Sequence, residues 1–160
     1  METTIHTSIL KDRESILSLW QAALLSQASG LNLAGTSKTR FTVPGDYLLK
    51  EEAETLFDWL VGEEAPISAR PSIREICKFK AVQGINPSEA LGFLIDLKSI
   101  IRLVVGKGEL SCSQHCELSE IDTRIDQLLM LAFDEYAECR EKIMEIRIEE
   151  VTRLARRSAT

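Results

Sequence analysis

An all-α fold, a single helical bundle closed by a long final helix, follows from three features of the chain. Apolar residues recur at spacings of three and four in several separate stretches. No stretch alternates apolar and polar side chains in the way a half-buried strand requires. From about Leu118 to Arg157 the helical pattern runs on with no Gly or Pro to stop it. With 160 residues, 44% of them apolar, the chain has material for one buried core.

Residues 8–29 read as the first helix, with Ile9, Leu10, Ile16, Leu17, Trp20, Ala23 and Leu24 on one face. The stretch GLNLAGTSKTRFTVPGD then breaks the pattern with glycines, hydroxyls and a proline, a loop of about 15 residues that Phe41 and Val43 pin to the core. Asp46 caps a second helix, 47–61, whose buried stripe is Leu48, Leu49, Leu56, Trp59 and Leu60; Gly62 ends it. Pro66 and Pro71 mark a tighter connection. Ser72 opens a third helix to about Gln83, with Ile73, Ile76, Cys77 and Lys80 on one side.

The helix from Pro87 to about Gly106 is the centre of the pattern. Asn86 is placed as its N-cap, Pro87 fits the first helical position, and Glu89 completes an Asn-x-x-Glu capping box. Leu91, Phe93, Leu94, Ile95, Leu97, Ile100, Ile101, Leu103 and Val104 leave little of its circumference polar, which predicts a position in the middle of the bundle. After the loop VVGKGELSCSQHC, the last helix carries Leu118, Ile121, Ile125, Leu128, Leu129, Ala132, Tyr136, Cys139, Ile143, Ile146, Glu150 and Leu154 at helical spacing. Such a helix is about 50 Å long, more than a compact domain of this size is wide. Its last two or three turns should project or pair with a second chain as a coiled coil.

Composition narrows the function. A formal net charge of −6 argues against duplex nucleic acid as the main partner. No run approaches eighteen apolar residues, and METTIHTSIL lacks a basic n-region and a long apolar core, so neither a membrane span nor a secretory signal is expected. Cys77 and Cys139 fall inside helical patterns as small apolar residues, and a reduced, cytoplasmic protein is the expectation.

The densest reactive cluster is Cys112, His115 and Cys116, three soft ligands on one short loop. Zn²⁺ takes thiolate and imidazole in such an arrangement, but a structural site needs a fourth ligand and no second Cys/His pair lies nearby. The rival function built on Cys112, His115 and Cys116 is a small metal- or redox-responsive protein; the plain alternative is a solvated loop with incidental thiols. Haem is disfavoured, because His6 and His115 both lie outside the central helices. The acid pairs Glu51–Glu52, Glu63–Glu64 and Glu149–Glu150 have no base, nucleophile or cofactor loop beside them, so no catalytic site is assigned. Pairs such as Glu138–Lys142 and Glu149–Arg153 support the long helix by a few tenths of a kcal/mol each.

Three stretches carry a resemblance: FTVPGDYLLKEEAETLFDWL, IREICKFKAVQGINPSEALGFLIDLKSIIR and IDQLLMLAFDEYAECREKIMEIRIEEVTR. Their most specific parts are Ala81-Val82-Gln83 … Pro87-Ser88-Glu89-Ala90 … Phe93 … Lys98, and Phe133-Asp134-x-Tyr136-x-x-Cys139-Arg140-Glu141-Lys142. Together, over about residues 8–155, they resemble the RsbRD N-terminal domain family. The resemblance implies a bacterial input domain with a globin-like, haem-free helical fold, forming homodimers and holding no cofactor. Such domains usually precede a STAS domain, in co-antagonists of the RsbT switch kinase of the general-stress pathway, or precede a histidine kinase. This chain carries neither after residue 160, and so reads as a free-standing member or a fragment. Within the motif, Asn86, Pro87 and Glu89 set the helix start and Gly92 allows close approach of a neighbour. Gln83, Ser88 and Lys98 are the polar candidates for signal sensing, and Tyr136 and Arg140, one turn apart, could contact them or a partner chain.

Overall fold

The structure, a computed structural model, describes residues 3–28 and 44–159. Among these there are six α-helices, one 3-10 turn and no strand, so the protein is an all-α bundle with a long C-terminal helix. The helices are α1 (Ile5–Lys11), α2 (Arg13–Ala28), α3 (Pro44–Val61), α4 (Arg70–Val82), α5 (Pro87–Val105) and α6 (Cys112–Ser158), with the 3-10 turn at Pro66–Ala69. The core is one cluster: Ile9, Trp20 and Leu24 meet Phe57 and Leu60 of α3, Ile76 of α4, Phe93 and Leu97 of α5, and Leu128 and Tyr136 of α6. No described helix is long and apolar enough to cross a membrane.

The expected first helix is two. It begins earlier than residue 8, because the Thr4 hydroxyl accepts from Thr7 N at 3.2 Å and Glu117 of α6 accepts from Ile5 N at 2.7 Å. Orphan amides at the start of α1 are thus satisfied partly from across the fold. Asp12 closes α1 with φ −97° and ψ 19°, and its carbonyl accepts the first bond of α2 from Ile16 N at 3.1 Å. Leu10, expected inside, is exposed. The loop residues Phe41 and Val43 lie outside the described residues.

α3 starts two residues before the expected cap, so Asp46 sits in its first turn, where a carboxylate favours the positive end of the helix dipole. Gly45 lies beside the Phe79 ring, which a Cβ there would overlap. α4 begins at Arg70, not Ser72. Pro71 therefore belongs to its first turn, where a missing N–H costs nothing, and not to the connection. Ile73, Ile76, Cys77 and Lys80 are all buried, as their spacing predicts. Gln83 is the C-cap, and Gly84 follows at φ 70°, a left-handed conformation that lets the chain leave the helix.

Asn86 has the extended backbone of an N-cap and α5 does start at Pro87, but no side-chain cap bond forms, so the Asn-x-x-Glu box is absent. The start rests on Pro87 and on Asn86 O, which accepts from Ala90 N at 2.8 Å. α5 buries Ala90, Leu91, Phe93, Leu94, Leu97 and Ile101 but leaves Ile95 and Leu103 more than half exposed. It packs mainly on α2 and α6, with α1 and α4 touching it as well, and with Ile95 and Leu103 exposed it is not enclosed all round as its composition suggested.

α6 begins at Cys112, six residues before the expected start. Ser111 and Gln114 make a reciprocal capping box: Gln114 N donates to Ser111 Oγ at 3.3 Å and Ser111 N donates to Gln114 Oε1 at 2.9 Å. Leu118, Ile125, Leu128, Ala132 and Tyr136 are buried, and Ile121, Leu129, Cys139 and Ile143 half-buried. From Met144 to Ala159 every residue is exposed, so the helix leaves the body and projects by about 24 Å at 1.5 Å per residue. That is more than four turns, longer than the two or three expected.

Candidate functional site

The polar candidates of the sequence divide into two groups. Tyr136 and Arg140 of α6 bind on either side of Gln83, where α4 turns into α5. The Tyr136 hydroxyl donates to Ile85 O, and Arg140 Nη1 donates to Ala81 O at 3.3 Å. Gln83 sits between those two carbonyls in sequence, and its Oε1 is a buried side-chain oxygen with no hydrogen-bond partner among the described residues. Lys98 and Ser88 lie elsewhere. Ser88 is exposed in the first turn of α5, and Lys98, roughly 15 Å further along that helix, pairs with Asp126 of α6. Arg102 pairs with Asp122 one turn on, so Lys98 is part of a tie between α5 and α6. Gly92 is half-buried in α5.

Next to Tyr136, Glu135 is the feature that composition concealed. It is only 1% exposed, and both its oxygens are taken: Arg74 Nε donates to Oε2 at 2.7 Å, and Arg70 Nε donates to Oε1. The hydrogen bond from Arg74, joined by that from Arg70, holds its carboxyl below the usual range against the opposing effect of burial. The same contact raises the Arg74 guanidinium. Because the Glu135 value is depressed in the folded state, its contribution to stability is present at neutral pH and lost as pH falls through that lowered value.

Residues 135–140 of α6 therefore hold α4 at both ends: Glu135 takes arginines of its first turns, while Tyr136 and Arg140 take carbonyls at and just beyond its last turn. One turn lower, Cys77 Sγ–H donates to Ala132 O at 3.5 Å, and burial pushes this thiol up to about 12. Burial also raises Tyr136 and Cys139 above their ordinary values. These groups stay neutral at physiological pH. They position helices; none is activated as a nucleophile.

A third tie has no local signature in the sequence. Arg124 donates to Trp59 O at 2.7 Å, Leu60 O at 3.2 Å and Glu64 O at 3.2 Å, with its guanidinium 4.1 Å from the Trp59 ring centroid. It satisfies orphan carbonyls at the C-terminus of α3 with a cation, the favourable sign for that end.

Cys112, His115 and Cys116 are not on a loop. They occupy the first two turns of α6 at positions i, i+3 and i+4, all exposed, as the Ser111–Gln114 box dictates. Among the described residues no group of three or more His, Cys, Asp or Glu side chains converges to hold a metal. His6 is engaged with Val61 O at 2.7 Å.

Tyr136→Phe removes one neutral hydrogen bond at a part-buried carbonyl while keeping the ring in the core. We expect a loss of about 1 kcal/mol in urea unfolding. An unchanged midpoint would mean that the hydroxyl contributes nothing at the corner. Comparison with protein-family models, curated proteins and solved structures finds no match to this chain.

Proposed function

We propose that this chain is a non-catalytic regulatory input domain, cytoplasmic and dimeric, that passes a change in its helical body along α6 to an output protein. One observation carries the reading. α6 is clamped to α4 and to the α4–α5 turn by polar contacts at Glu135, Tyr136 and Arg140, then leaves the body after Ile143 as an exposed helix. A rotation or shift of the corner is thereby transmitted to the projecting end, since a helix moves as a rigid rod over this distance. Gln83 Oε1, buried without a hydrogen-bond partner among the described residues, makes that corner the place where a signal would act: a donor supplied there removes the cost of a buried orphan acceptor.

The resemblance to RsbRD N-terminal domains supplies the class of partner. The output would be a STAS-domain protein, a switch kinase or a histidine kinase, and the bundle would be a haem-free globin-like variant.

Amide hydrogen exchange tests the coupling. Arg140→Ala and Gln83→Ala should change protection in α6 beyond Ile143 while leaving α2 and α3 as in the parent. If both variants alter only the corner itself, α6 is no transmitter and the input-domain reading fails.

A further inference from the structure

We propose that the groove between the 3-10 turn and α6 docks an amphipathic helix of another protein, one whose apolar stripe is edged with lysine or arginine. The groove has a volume of about 630 Å³ and is floored by Pro66 and Ile67 of the turn and by Met130 and Leu131 of α6. Ile67 is 60% exposed and Met130 68%. Singly, exposed apolar side chains need no explanation. Here they meet in one concavity from two elements, and Asp126 and Asp134 line it on either side of Met130 along α6. The groove shares no lining residue with the Glu135–Arg140 clamp, so it stands whether or not α6 transmits a signal.

The fold holds this groove at a fixed width. Arg124 of α6 donates to Glu64 O at 3.2 Å, and the Trp59 indole donates to Ala65 O at 3.0 Å, so the entry to the turn is anchored. Just past the turn, Arg70 binds Glu135 of α6. The wall is therefore tied to α6 at both ends, with Ile67 between the ties, and Pro66 stiffens it further. A preformed concavity costs an incoming helix less ordering than a loose surface would.

Charge selects the occupant. The lining holds two carboxylates and no lysine or arginine. Asp134 makes no ion pair among the described residues. Asp126 is bound to Lys98, yet its side chain stays 59% exposed and has room for a second cation. Exposed Glu63 and Glu64 lead into the wall. The arginines on either flank, Arg70 and Arg124, are already turned to Glu135 and to the α3 carbonyls. An acidic rim over an apolar floor repels phosphate backbones and anionic lipid surfaces, and it attracts a basic amphipathic segment. Asp126 and Asp134 are about 12 Å apart along α6, so basic residues two turns apart on the partner match them. Both walls are helical and offer no strand edge, which favours a helix over an extended peptide.

The test is a peptide selection on the full chain, followed by fluorescence anisotropy. The displayed library consists of short helical peptides with a fixed apolar stripe, whose flanking positions are drawn from Lys, Glu, Gln and Ala. Retained peptides should carry lysine at flanking positions two turns apart. Asp134→Lys should then weaken the best of them about tenfold, and exchanging its facing lysine for glutamate should restore binding to that variant. Ile67→Thr with Met130→Gln should weaken it about tenfold as well, through the floor and not the charge. Glu149→Lys, the same charge change on the projecting end, should leave binding as in the parent. All four positions are exposed, and circular dichroism confirms that each variant folds.

Four results would overturn the proposal. The library may yield no retained peptide, or retained peptides without a basic bias. Binding may be indifferent to the groove substitutions, or Glu149→Lys may weaken it as much as Asp134→Lys, which would mean attraction to net charge alone. A self-association that Asp134→Lys abolishes and the peptide displaces would make a second copy the occupant, and the proposal would fall. The hydrogen-exchange response of α6 to Arg140→Ala is a separate readout, so the input-domain reading and this docking site can each survive the loss of the other.

Discussion

Trp20→Ala should destabilise the domain by about 3–5 kcal/mol, the largest single loss available in this core. Trp20 on α2 is fully buried, and its indole Nε1–H donates to Phe93 O of α5 at 2.8 Å. Its ring lies over the Phe93 ring with centroids 6.1 Å apart and planes 25° from parallel. Truncation removes a large apolar volume, an aromatic contact and a buried hydrogen bond together, at the seam between α2 and α5. Trp20→Phe separates these effects. It keeps most of the ring and loses the donor, so the expected cost falls to about 1–2 kcal/mol. Guanidinium unfolding followed by circular dichroism at neutral pH gives both numbers. A Trp20→Ala loss below about 1 kcal/mol would mean that the surrounding helices collapse into the space, which the density of the cluster around Phe57 and Leu97 opposes.

The residues that reading from sequence placed well are those governed by local period. Ile73, Ile76, Cys77 and Lys80 were expected on one face of α4 and all are buried, because a 3.6-residue repeat leaves no other arrangement. Gln83, Tyr136 and Arg140 were suggested as possible neighbours, and the last two do bind the carbonyls on either side of Gln83. What failed were single end effects and distant partners. Ser111 and Gln114 carry the Ser-x-x-Gln signature of a helix start, but Gly106 and Gly108 just upstream and the thiols around His115 favoured a loop. Asn86 has the backbone of an N-cap and the Asn-x-x-Glu spacing, but its side chain makes no cap bond. These are choices between near-equal local conformations, decided by contacts that sequence spacing does not report.

Glu135 and Arg124 show the second kind of failure. In sequence, Glu135 sits among Asp134, Glu138 and Arg140 on what reads as a solvated charged helix. Its partners Arg70 and Arg74 are 65 and 61 residues away, so only the packing of α4 on α6 makes it a buried, doubly bound acid. Arg124 likewise serves carbonyls of a helix that ended some 60 residues earlier.

Lys80 sets the second large expectation, an alkaline rise in stability. It is fully buried on α4 with its ammonium 4.7 Å from the Phe93 ring centroid. Burial lowers it to about 8, against the smaller opposing effects of Cys77 and Asp96. The folded value lies below the unfolded one, near 10.5, so between these the unfolded chain binds more protons and stability climbs with pH. Cys77 acts in the other direction: burial raises it to about 12, so the unfolded thiol ionises first and stability falls as pH rises above 9. Cys139, also raised by burial, adds to that fall. The wild-type chain should therefore gain about 1 kcal/mol between pH 7.5 and 9 and then level off. With Cys77→Ala and Cys139→Ala the climb should continue to about 2–3 kcal/mol near pH 10.5, and Lys80→Met should abolish it. Urea midpoints at four pH values distinguish these curves. A wild-type midpoint that does not move between pH 7.5 and 9, with Lys80→Met parallel to it, would mean that the ring of Phe93 and the charge of Asp96 keep the buried ammonium protonated. The aromatic contact between α4 and α5 would then be a permanent cation–π bond, and titration of Lys80 would not change how α4 packs on α5.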